Sequence, residues 1–375
     1  MPEVTEGGLA ESRTPNLISE PEFTAEAQCA EVQESGSYRS SGVRDPEPRT
    51  PNPELEFTAE NLTSALAREI FGLGSPMRIA VLSDIHGNLP ALEAVAADLG
   101  RLDPDLVFVA GDFQNRGPNP REVTAFVYES GWTILRGNHE DYVIRQSQNS
   151  TIDDPTDYYN WLPARWTAEL TRDSMEWVKG LPIAISLAGP NERSIIIAHG
   201  SPRSNDEGFF PTTPETKATE MIGDNPPALL CVGHSHIPLI RWINSTLLVN
   251  VGSVGFPFDG DRRASYGIVN LGHNRWEVDI RRVDYAMEKV VEEFDRVNFY
   301  EGAGPLSHLI RRELESARPH LTPFEYLFGL KIRAGDISIS QAVGAYLSMP
   351  QEQIESEFIR VFRKARSPGT GGGSY

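Results

Sequence analysis

The chain has 375 residues and ordinary apolar content, which is enough for a sizeable core and about two domains. Its net charge of −19 argues against binding to long nucleic acid, which requires clustered Lys and Arg. No run approaches the roughly 20 apolar residues of a membrane span, and the acidic start lacks the basic and apolar parts of a signal peptide. We therefore expect a cytoplasmic protein without a membrane partner. The two cysteines, Cys29 and Cys231, are far apart, and no disulfide is expected.

The first 56 residues are rich in Pro, Glu, Ser and Gly and contain few large apolar side chains. Such a segment cannot bury enough apolar surface to offset the entropy of ordering, so residues 1–56 are predicted to be a disordered acidic tail. The sequence Glu-Phe-Thr-Ala-Glu occurs at 22–26 and again at 56–60. It is either a duplicated docking motif for a protein partner or a chance repeat. Apolar residues then recur at helical spacing, which predicts an amphipathic helix over about 59–71, within a segment 57–76 that ends in a linker.

From residue 77 onwards, short apolar strand patterns alternate with helical patterns. The early strand patterns lie at 78–83, 106–110 and 132–135, and they predict a parallel α/β sheet. Residues 141–180 are aromatic-rich and helical, and they form either a cap-like insert that stacks a nucleobase or ordinary core packing. The later strand patterns lie at 183–187, 194–198, 229–232, 247–251, 265–271 and 276–283. Residues 286–366 are predicted to be a helical extension, followed by a flexible tail at 367–375.

Five short motifs with histidine or carboxylate residues each follow a predicted strand. They are Asp84-Ile85-His86, Gly111-Asp112, Gly137-Asn138-His139-Glu140, His199-Gly200 and Gly233-His234-Ser235-His236. Each motif alone has an ordinary explanation as a turn, a helix cap or a core histidine. Together they hold five of the eight histidines of the chain. Because loops at the carboxyl ends of strands carry the sites of α/β sheets, the set predicts one site.

The chemistry of these side chains indicates a pair of metal ions. Mixed carboxylate, amide and imidazole ligands suit Mn, Fe, Zn, Co or Ni and differ from the thiolates of structural zinc. Asp112, between the other motifs, is placed to bridge two ions ~3.5–4 Å apart. Such a pair lowers the pKa of bound water and holds both the attacking and the leaving oxygen of an in-line displacement. The motifs therefore predict metal-assisted cleavage of a phosphate ester.

The ordered set resembles the calcineurin-like metallophosphoesterase superfamily, whose pattern is D-x-H, G-D, G-N-H-[ED], H and G-H-x-H. The resemblance covers residues 77–285 and implies an α/β catalytic domain, a two-sheet sandwich flanked by helices. It implies that the first metal is held by Asp84, His86 and His236. It implies that the second metal is held by Asn138, His199 and His234, with Asp112 between the two. His139 would act near the leaving group as a general acid or by stabilising charge.

The flanking residues refine this resemblance. The loop Gly111–Pro118 is similar to the G-D-x-x-D-R-G loop of phosphoprotein phosphatases and symmetrical diadenosine tetraphosphatases, so Arg116 matches their phosphate-binding arginine. Asn115 stands where those branches have an Asp that orients and charges the catalytic histidine. The stretch 250–257 looks like that of bacterial-type stand-alone phosphodiesterases. Gly252 and Ser253 there either contact the substrate or form a plain strand turn.

The resemblance therefore implies a dinuclear-metal phosphoesterase that hydrolyses a phosphodiester or phosphomonoester by in-line attack of metal-bound hydroxide. Two divalent ions are expected, with Mn favoured over Fe, Zn, Co and Ni. The expected substrate is a small phosphorylated molecule, such as a nucleotide. The alternatives are a protein phosphatase, a dinucleoside polyphosphate hydrolase, or a non-catalytic scaffold of the same fold. No ligand position is missing from the sequence, which counts against the scaffold.

Overall fold

The computed structural model describes residues 77–148, 155–189, 193–272 and 275–357. The predicted acidic tail, the amphipathic helix and the C-terminal tail lie outside these residues. Within the described ranges, no helix combines the length and the apolar character needed to cross a bilayer.

Two five-stranded sheets form the centre of the molecule. The strands are β1 (Met77–Leu82), β2 (Leu106–Ala110), β3 (Thr133–Leu135), β4 (Ala184–Ala188), β5 (Ser194–Ala198), β6 (Leu229–Val232), β7 (Leu239–Ile243), β8 (Thr246–Asn250), β9 (Ala264–Gly272) and β10 (Arg275–Val283). The strand order is β10-β9-β1-β2-β3 in the first sheet and β4-β5-β6-β8-β7 in the second. In the first sheet β1, β2 and β3 are parallel and end at one edge, and β9 and β10 are antiparallel on the other side. In the second sheet the parallel strands β5, β6 and β8 are flanked by antiparallel β4 and β7. The predicted α/β two-sheet sandwich is confirmed.

Helices connect the strands and continue beyond them. They are α1 (Leu89–Leu102), α2 (Pro120–Glu129), α3 (Asn138–Ser147), α4 (Pro155–Leu170), α5 (Met175–Lys179), α6 (Glu215–Ile222), α7 (Met287–Arg296), α8 (Phe299–Gly302), α9 (Ser307–Ser316), α10 (Leu321–Arg333) and α11 (Ile339–Leu347). A short 3-10 turn at Arg172–Ser174 precedes α5. The helical character predicted after residue 286 is confirmed as far as the structure describes the chain.

The apolar residues of the central strands explain the layering. Side chains of β1 alternate between two faces, so Ile79 and Val81 enter the core between the sheets, and Ala80 and Leu82 pack under the helices. Because the second sheet covers one face of β1 and helices cover the other, its sequence is an almost continuous apolar run. The helix α6 covers the outer face of the second sheet through Ala218, Met221 and Ile222.

Two elements differ from the sequence-based expectation. The strand β7 was not predicted because it is an edge strand with two exposed apolar residues, Ile240 and Trp242, and an Arg between them. The helix α6 was not predicted because its eight residues carry a short apolar stripe among charged side chains. Both belong to the second sheet or pack on it.

Two tryptophans of the aromatic segment 141–180 pack in the core. Trp166 packs edge-on against Phe299 at 4.9 Å between ring centroids, and Trp177 contacts Phe113 at 5.8 Å. The sequence left open a cap-like insert or ordinary core packing, and these two rings belong to core packing. A role as a substrate cap stays a prediction.

The buried carboxylate of Asp98 joins α1 to the first sheet. The carboxylate of Asp98 accepts hydrogen bonds from Tyr266 Oη at 2.6 Å, Arg281 Nε at 2.8 Å and Arg101 Nη2 at 2.7 Å. Burial would raise the pKa of Asp98, but these three donors outweigh it and lower the pKa to about 2. Asp98 is therefore charged in the folded protein at every ordinary pH.

Replacing Asp98 with Asn is expected to lower the free energy of unfolding by about 1.5–3 kcal/mol, because a charged acceptor of three donors is lost. The pKa falls on folding from its ordinary 3.8, so the contribution is complete above that value and is lost as the pH falls towards 2. Urea denaturation between pH 7 and pH 3 measures this difference. Asp103→Asn, at an exposed position just after the same helix, is the control. Equal stability of the two variants at pH 7 would contradict the assignment.

Candidate metal centre

The five motifs converge because each lies at the carboxyl end of a strand. Asp84 and His86 follow β1, Asp112 follows β2, and Asn138 comes just after β3. In the second sheet, His199 follows β5, and His234 and His236 follow β6. Backbone hydrogen bonds tie these loops together: His86 N–H donates to Asp112 O at 2.9 Å, and Gly233 N–H donates to His199 O at 2.9 Å. The predicted site therefore forms where the edges of the two sheets meet.

The backbone of this site is unusually strained. Positive φ values, which are uncommon for residues other than glycine, occur at seven of its residues. They are Asp84, His86, Asp112, Asn115, Arg116, His234 and His236, with φ between 50° and 70°. Each such conformation costs of order 1–3 kcal/mol and tends to be kept where function requires it. The concentration of strain at the predicted residues supports a functional site.

One cluster consists of Asp84, His86 and His236. The Nε2 atoms of His86 and His236 lie 3.1 Å apart, and Asp84 Oδ1 lies 3.2 Å from His236 Nε2. His236 donates its Nδ1–H to Phe256 O at 2.5 Å, so its Nε2 presents a lone pair to the cluster. Asp84 Oδ2 accepts from His234 N–H at 2.9 Å, which leaves Oδ1 directed at the two imidazoles.

The second cluster consists of Asn138, His199 and His234. Asn138 Oδ1 lies 2.9 Å from His199 Nε2 and 3.0 Å from His234 Nδ1. His199 donates its Nδ1–H to Ala110 O at 2.8 Å, so Nε2 is the atom that faces the cluster, and it presents a lone pair when the imidazole is neutral. Burial would lower the pKa of His199, but the carboxylate of Asp112 outweighs it and raises the pKa to about 10.

Asp112 lies between the two clusters. Its Oδ2 is 3.3 Å from His199 Nε2 and 3.6 Å from His86 Nε2, so a single oxygen faces both groups. Its Oδ1 accepts from the backbone N–H of His139 at 2.8 Å, which fixes the carboxylate plane. Burial would raise the pKa of Asp112, but the imidazole of His199 and the neighbouring histidines hold it well below its usual range. The structure thus brings together every residue predicted to bind metal.

These donors fit a metal pair. His199 Nε2 lies 2.9 Å from Asn138 Oδ1 and 3.3 Å from Asp112 Oδ2, and Asp84 Oδ1 is buried without a hydrogen-bond donor among the described residues. Buried acceptors that converge in this way are costly unless a cation lies between them. Asp84, His86 and His236 form one candidate group of metal ligands, and Asp112, His199 and His234 form another; His86 and Asp112 also come close enough to His139 to form a third.

Glu140 has a supporting role that the sequence interpretation did not assign. Its carboxylate accepts backbone N–H groups from Asp112 at 2.7 Å, Gln114 at 2.9 Å and Gly137 at 2.8 Å. Burial and the charge of Asp112 raise its pKa to about 8. The signal was present, because a Glu three residues after a helix N-cap often turns back to the preceding backbone. Glu140 therefore joins the loops after β2 and β3.

His139 lies beside the clusters and is partly open to solvent, with 18% of its side chain exposed. Asn115 Oδ1 accepts from Arg116 N–H at 2.8 Å, which directs its amide nitrogen to His139 Nδ1 at 2.9 Å. The proton of a neutral His139 is then on Nε2, 4.0 Å from Asp112 Oδ2. Burial, together with the charge of Arg116 and in spite of Asp112, lowers the pKa of His139 to about 3. Asn115 thus holds a neutral imidazole with its N–H towards the clusters.

Arg116 lies next to this histidine and remains within reach of the site. Its guanidinium carbon lies 5.9 Å from the ring centroid of Phe256 and 5.4 Å from that of Phe258, and 12% of its side chain is exposed. Phe256 also contacts His86 edge-on, at 5.9 Å between ring centroids. The two aromatic rings therefore hold Arg116 beside the ligands of the first cluster.

Gly252 and Ser253 lie behind the first cluster. The hydroxyl of Ser253 donates to Asp84 O at 2.8 Å and accepts from Phe256 N–H at 2.7 Å, and the residue is fully buried. Gly252 has φ of 73°, and its N–H donates to Asn250 Oδ1 at 2.9 Å. In the structure these residues support the loop of Asp84 as a strand turn. A direct contact with substrate stays a prediction.

Tyr142 is a further supporting residue that sequence reasoning missed. It lies one helical turn after Asn138 on α3, and its hydroxyl accepts from Asn138 Nδ2 at 3.1 Å and donates to Asp206 Oδ1 at 3.3 Å. This contact orients the amide so that Oδ1 faces His199 and His234. The i, i+4 spacing was visible in the sequence, but nothing distinguished this Tyr from its aromatic neighbours.

Replacing Tyr142 with Phe is expected to weaken Mn²⁺ binding at one of the two sites by roughly 10–100-fold, because the ligand amide loses its orienting partner. Calorimetric titration of the metal-free protein with Mn²⁺ measures the two affinities. Tyr128→Phe removes a hydroxyl from an exposed tyrosine and serves as the control. Unchanged affinities in Tyr142→Phe would show that the amide is held without this hydroxyl.

Similarity to known proteins agrees with this geometry. The family model of the calcineurin-like phosphoesterase superfamily domain matches residues 77–274. An uncharacterised protein of Methanocaldococcus jannaschii is 29% identical over 249 residues, which are 60% of this chain and 95% of that protein. The crystal structure of a metallophosphoesterase from Sphaerobacter thermophilus has 26% identity and a TM-score of 0.51, and the match covers 65% of this chain and all of that one.

A hypothetical protein from Pyrococcus horikoshii shares the fold, with 21% identity, a TM-score of 0.53 and the same coverage of 65% and 100%. The family model covers more than half of the chain and contains all five motifs. The chain therefore belongs to the calcineurin-like phosphoesterase superfamily.

Proposed function

We propose that this protein is a dinuclear-metal phosphoesterase that hydrolyses a small phosphodiester or phosphomonoester. The observation that carries the proposal is the convergence of buried lone pairs around Asp112. His199 Nε2 and His86 Nε2 lie 3.3 Å and 3.6 Å from one carboxylate oxygen, in an arrangement that only cations or extra protons can satisfy. The complete ligand set favours an enzyme over a scaffold.

The ligand residues divide into two groups, one for each ion. Asp84, His86 and His236 would hold one divalent ion, and Asn138, His199 and His234 would hold the other, with Asp112 shared. Carboxylate, amide and imidazole donors are compatible with Mn²⁺, which we favour, and with Fe, Zn, Co or Ni. When bound, such a pair supplies Lewis-acid activation of water and neutralises charge on the phosphate.

His139 would supply the hydrogen-bond donor of the reaction. Its Nε2–H is directed to the clusters because Asn115 occupies Nδ1, and part of its ring is open to solvent. A neutral imidazole N–H suits stabilisation of charge on an oxygen of the phosphate or of the leaving group. Asn115 cannot stabilise an imidazolium as a carboxylate would, so we infer that His139 acts chiefly as this donor.

Arg116 would bind the phosphate. A guanidinium offers several N–H donors in one plane, which matches two oxygens of a phosphate group. It lies beside His139 and the first cluster, where it is held by Phe256 and Phe258. The net charge of −19 argues against long nucleic acid and for a small substrate such as a nucleotide.

The test is hydrolysis of p-nitrophenyl phosphate and bis(p-nitrophenyl) phosphate by the full-length chain loaded with Mn²⁺. We expect turnover of at least one ester, loss of turnover in excess chelator, and its recovery when Mn²⁺ is restored. Mn²⁺ in buffer without protein is the blank, and Fe, Zn, Co and Ni are assayed in parallel. Absence of turnover with both esters and all five metals would refute the proposal.

A further inference from the structure

A carboxylate from the C-terminal helices reaches the predicted phosphate-binding arginine. Glu313 lies on α9, beyond the segment 77–274 that matches the family model, and is only 1% exposed. Its Oε2 lies 3.4 Å from Arg116 Nη2. Glu313 was not among the predicted site residues, because it lies 197 positions after Arg116 and no local motif marks it.

The two oxygens of Glu313 have different surroundings. Oε1 accepts the backbone N–H groups of His320 at 2.8 Å and Leu321 at 3.0 Å, which anchors the side chain to the start of α10. Oε2 is buried and has no hydrogen-bond donor among the described residues, and Arg116 is the one cation of these residues within ion-pair distance of it. Anchoring to α10 requires only Oε1. Because Oε2 is buried and faces the guanidinium, we infer that Glu313 also acts on Arg116.

Apolar packing keeps this contact in place. Ile310 and Leu314 of α9 belong to the same buried cluster as Phe256 and Phe258, the rings on which Arg116 lies. Next to that loop, Gly260 N–H donates to Ala317 O at 3.0 Å, just after α9. Arg116 is therefore enclosed by two aromatic rings and a carboxylate, and α9 cannot withdraw without disturbing the loop.

On the basis of the proposed function, we propose that Glu313 determines specificity by disfavouring doubly charged phosphates. Its carboxylate offsets part of the charge of Arg116 and repels the bound phosphate in proportion to the charge of that phosphate. A phosphomonoester carries two negative charges and a phosphodiester carries one, so the repulsion is about twice as large for the monoester. The ion pair also holds one edge of the guanidinium and leaves its other donors for the substrate. Glu313 therefore shifts the preference of the site towards phosphodiesters.

Anion binding by the Mn²⁺-loaded protein tests this independently of turnover. Calorimetry at pH 8 compares inorganic phosphate, mainly a dianion, with dimethyl phosphate, a monoanion. We expect Glu313→Gln to tighten phosphate about tenfold and dimethyl phosphate about threefold, since the dianion experiences twice the repulsion. Gln keeps the oxygen that accepts from His320 and Leu321. Glu315→Gln, which removes a charge from a partly exposed side chain on the same helix, should change neither affinity.

The outcomes separate this proposal from the proposed function. Equal changes for the two anions, or none, would overturn the role of Glu313, even in an active enzyme. Absence of turnover would refute the proposed function, while the binding comparison would still decide the role of Glu313. The wild-type protein gives a second measure that does not depend on the folding of a variant. Its kcat/KM should be higher for the bis-ester than for the monoester, and the reverse preference would also overturn the proposal.

Discussion

Replacing Asp112 with Asn is expected to reduce kcat/KM by at least ~1,000-fold and to lower the metal content of the protein. Loss of a residue that merely orients a metal ligand lowers metal affinity or activity roughly 10–100-fold. Loss of a ligand shared by two ions should lower them further. In the structure, Asp112 Oδ2 faces His199 and His86 across 3.3 Å and 3.6 Å, so the change affects both clusters. The amide would direct N–H groups at nitrogens that already need a cation.

Asn is a close match in shape, which makes this test specific. The backbone N–H of His139 donates to Asp112 Oδ1 at 2.8 Å, and the amide oxygen of Asn can accept the same bond. Asp173→Asn makes the same chemical change at an exposed position and should leave activity unaltered. Metal analysis and steady-state kinetics of both variants provide the comparison. Undiminished activity in Asp112→Asn would refute the shared-ligand assignment.

Replacing His139 with Ala is expected to reduce kcat about 100- to 1,000-fold while leaving metal content unchanged. The physical reason is that Asn115 directs the Nε2–H of His139 to the clusters and that part of the ring is exposed. The other two ligand groups, one with Asp84 and one with His199, contain three residues each without His139. A donor to the leaving oxygen matters most when that oxygen is a poor leaving group. The loss should therefore be greater with phenyl esters than with p-nitrophenyl esters.

A suitable control is His308→Ala. It removes an exposed imidazole of α9, whose ring centroid lies 4.6 Å from that of Tyr300. Kinetics on the two series of esters, together with metal analysis, separate the roles that His139 can have. Loss of metal in His139→Ala would make it a ligand. An equal fall in kcat for good and poor leaving groups would show that His139 donates to the other phosphate oxygens and not to the leaving oxygen.

Local patterns in the sequence predicted the centre of this protein well, for a physical reason. Strands such as β1 are covered on both faces, so they appear as short apolar runs, and the polar residues after them stand out. Parallel strands present their carboxyl ends at one edge, which brings Asp84 and Asp112 together without any long-range information. The pairing of the two sheets followed from resemblance to the family and not from the patterns alone.

Contacts between distant segments could not be predicted in the same way. Glu313 reaches Arg116 through the packing of α9 on Phe256 and Phe258, and no local pattern marks one Glu of a charged helix as buried. Asn115 shows an intermediate case. Its departure from the family pattern was visible, but the direction of its amide, fixed by Arg116 N–H, required the structure. The partners suggested for residues 1–56 stay a prediction.

The most direct test of the two-metal centre is the number of metal ions bound by the full-length chain. The metal-free protein would be titrated with Mn²⁺ and its bound metal counted by elemental analysis after removal of free ions. Two clusters of converging lone pairs that share Asp112 predict two Mn²⁺ per chain. A protein that retains no Mn²⁺, and none of Fe, Zn, Co or Ni under the same conditions, would contradict the account.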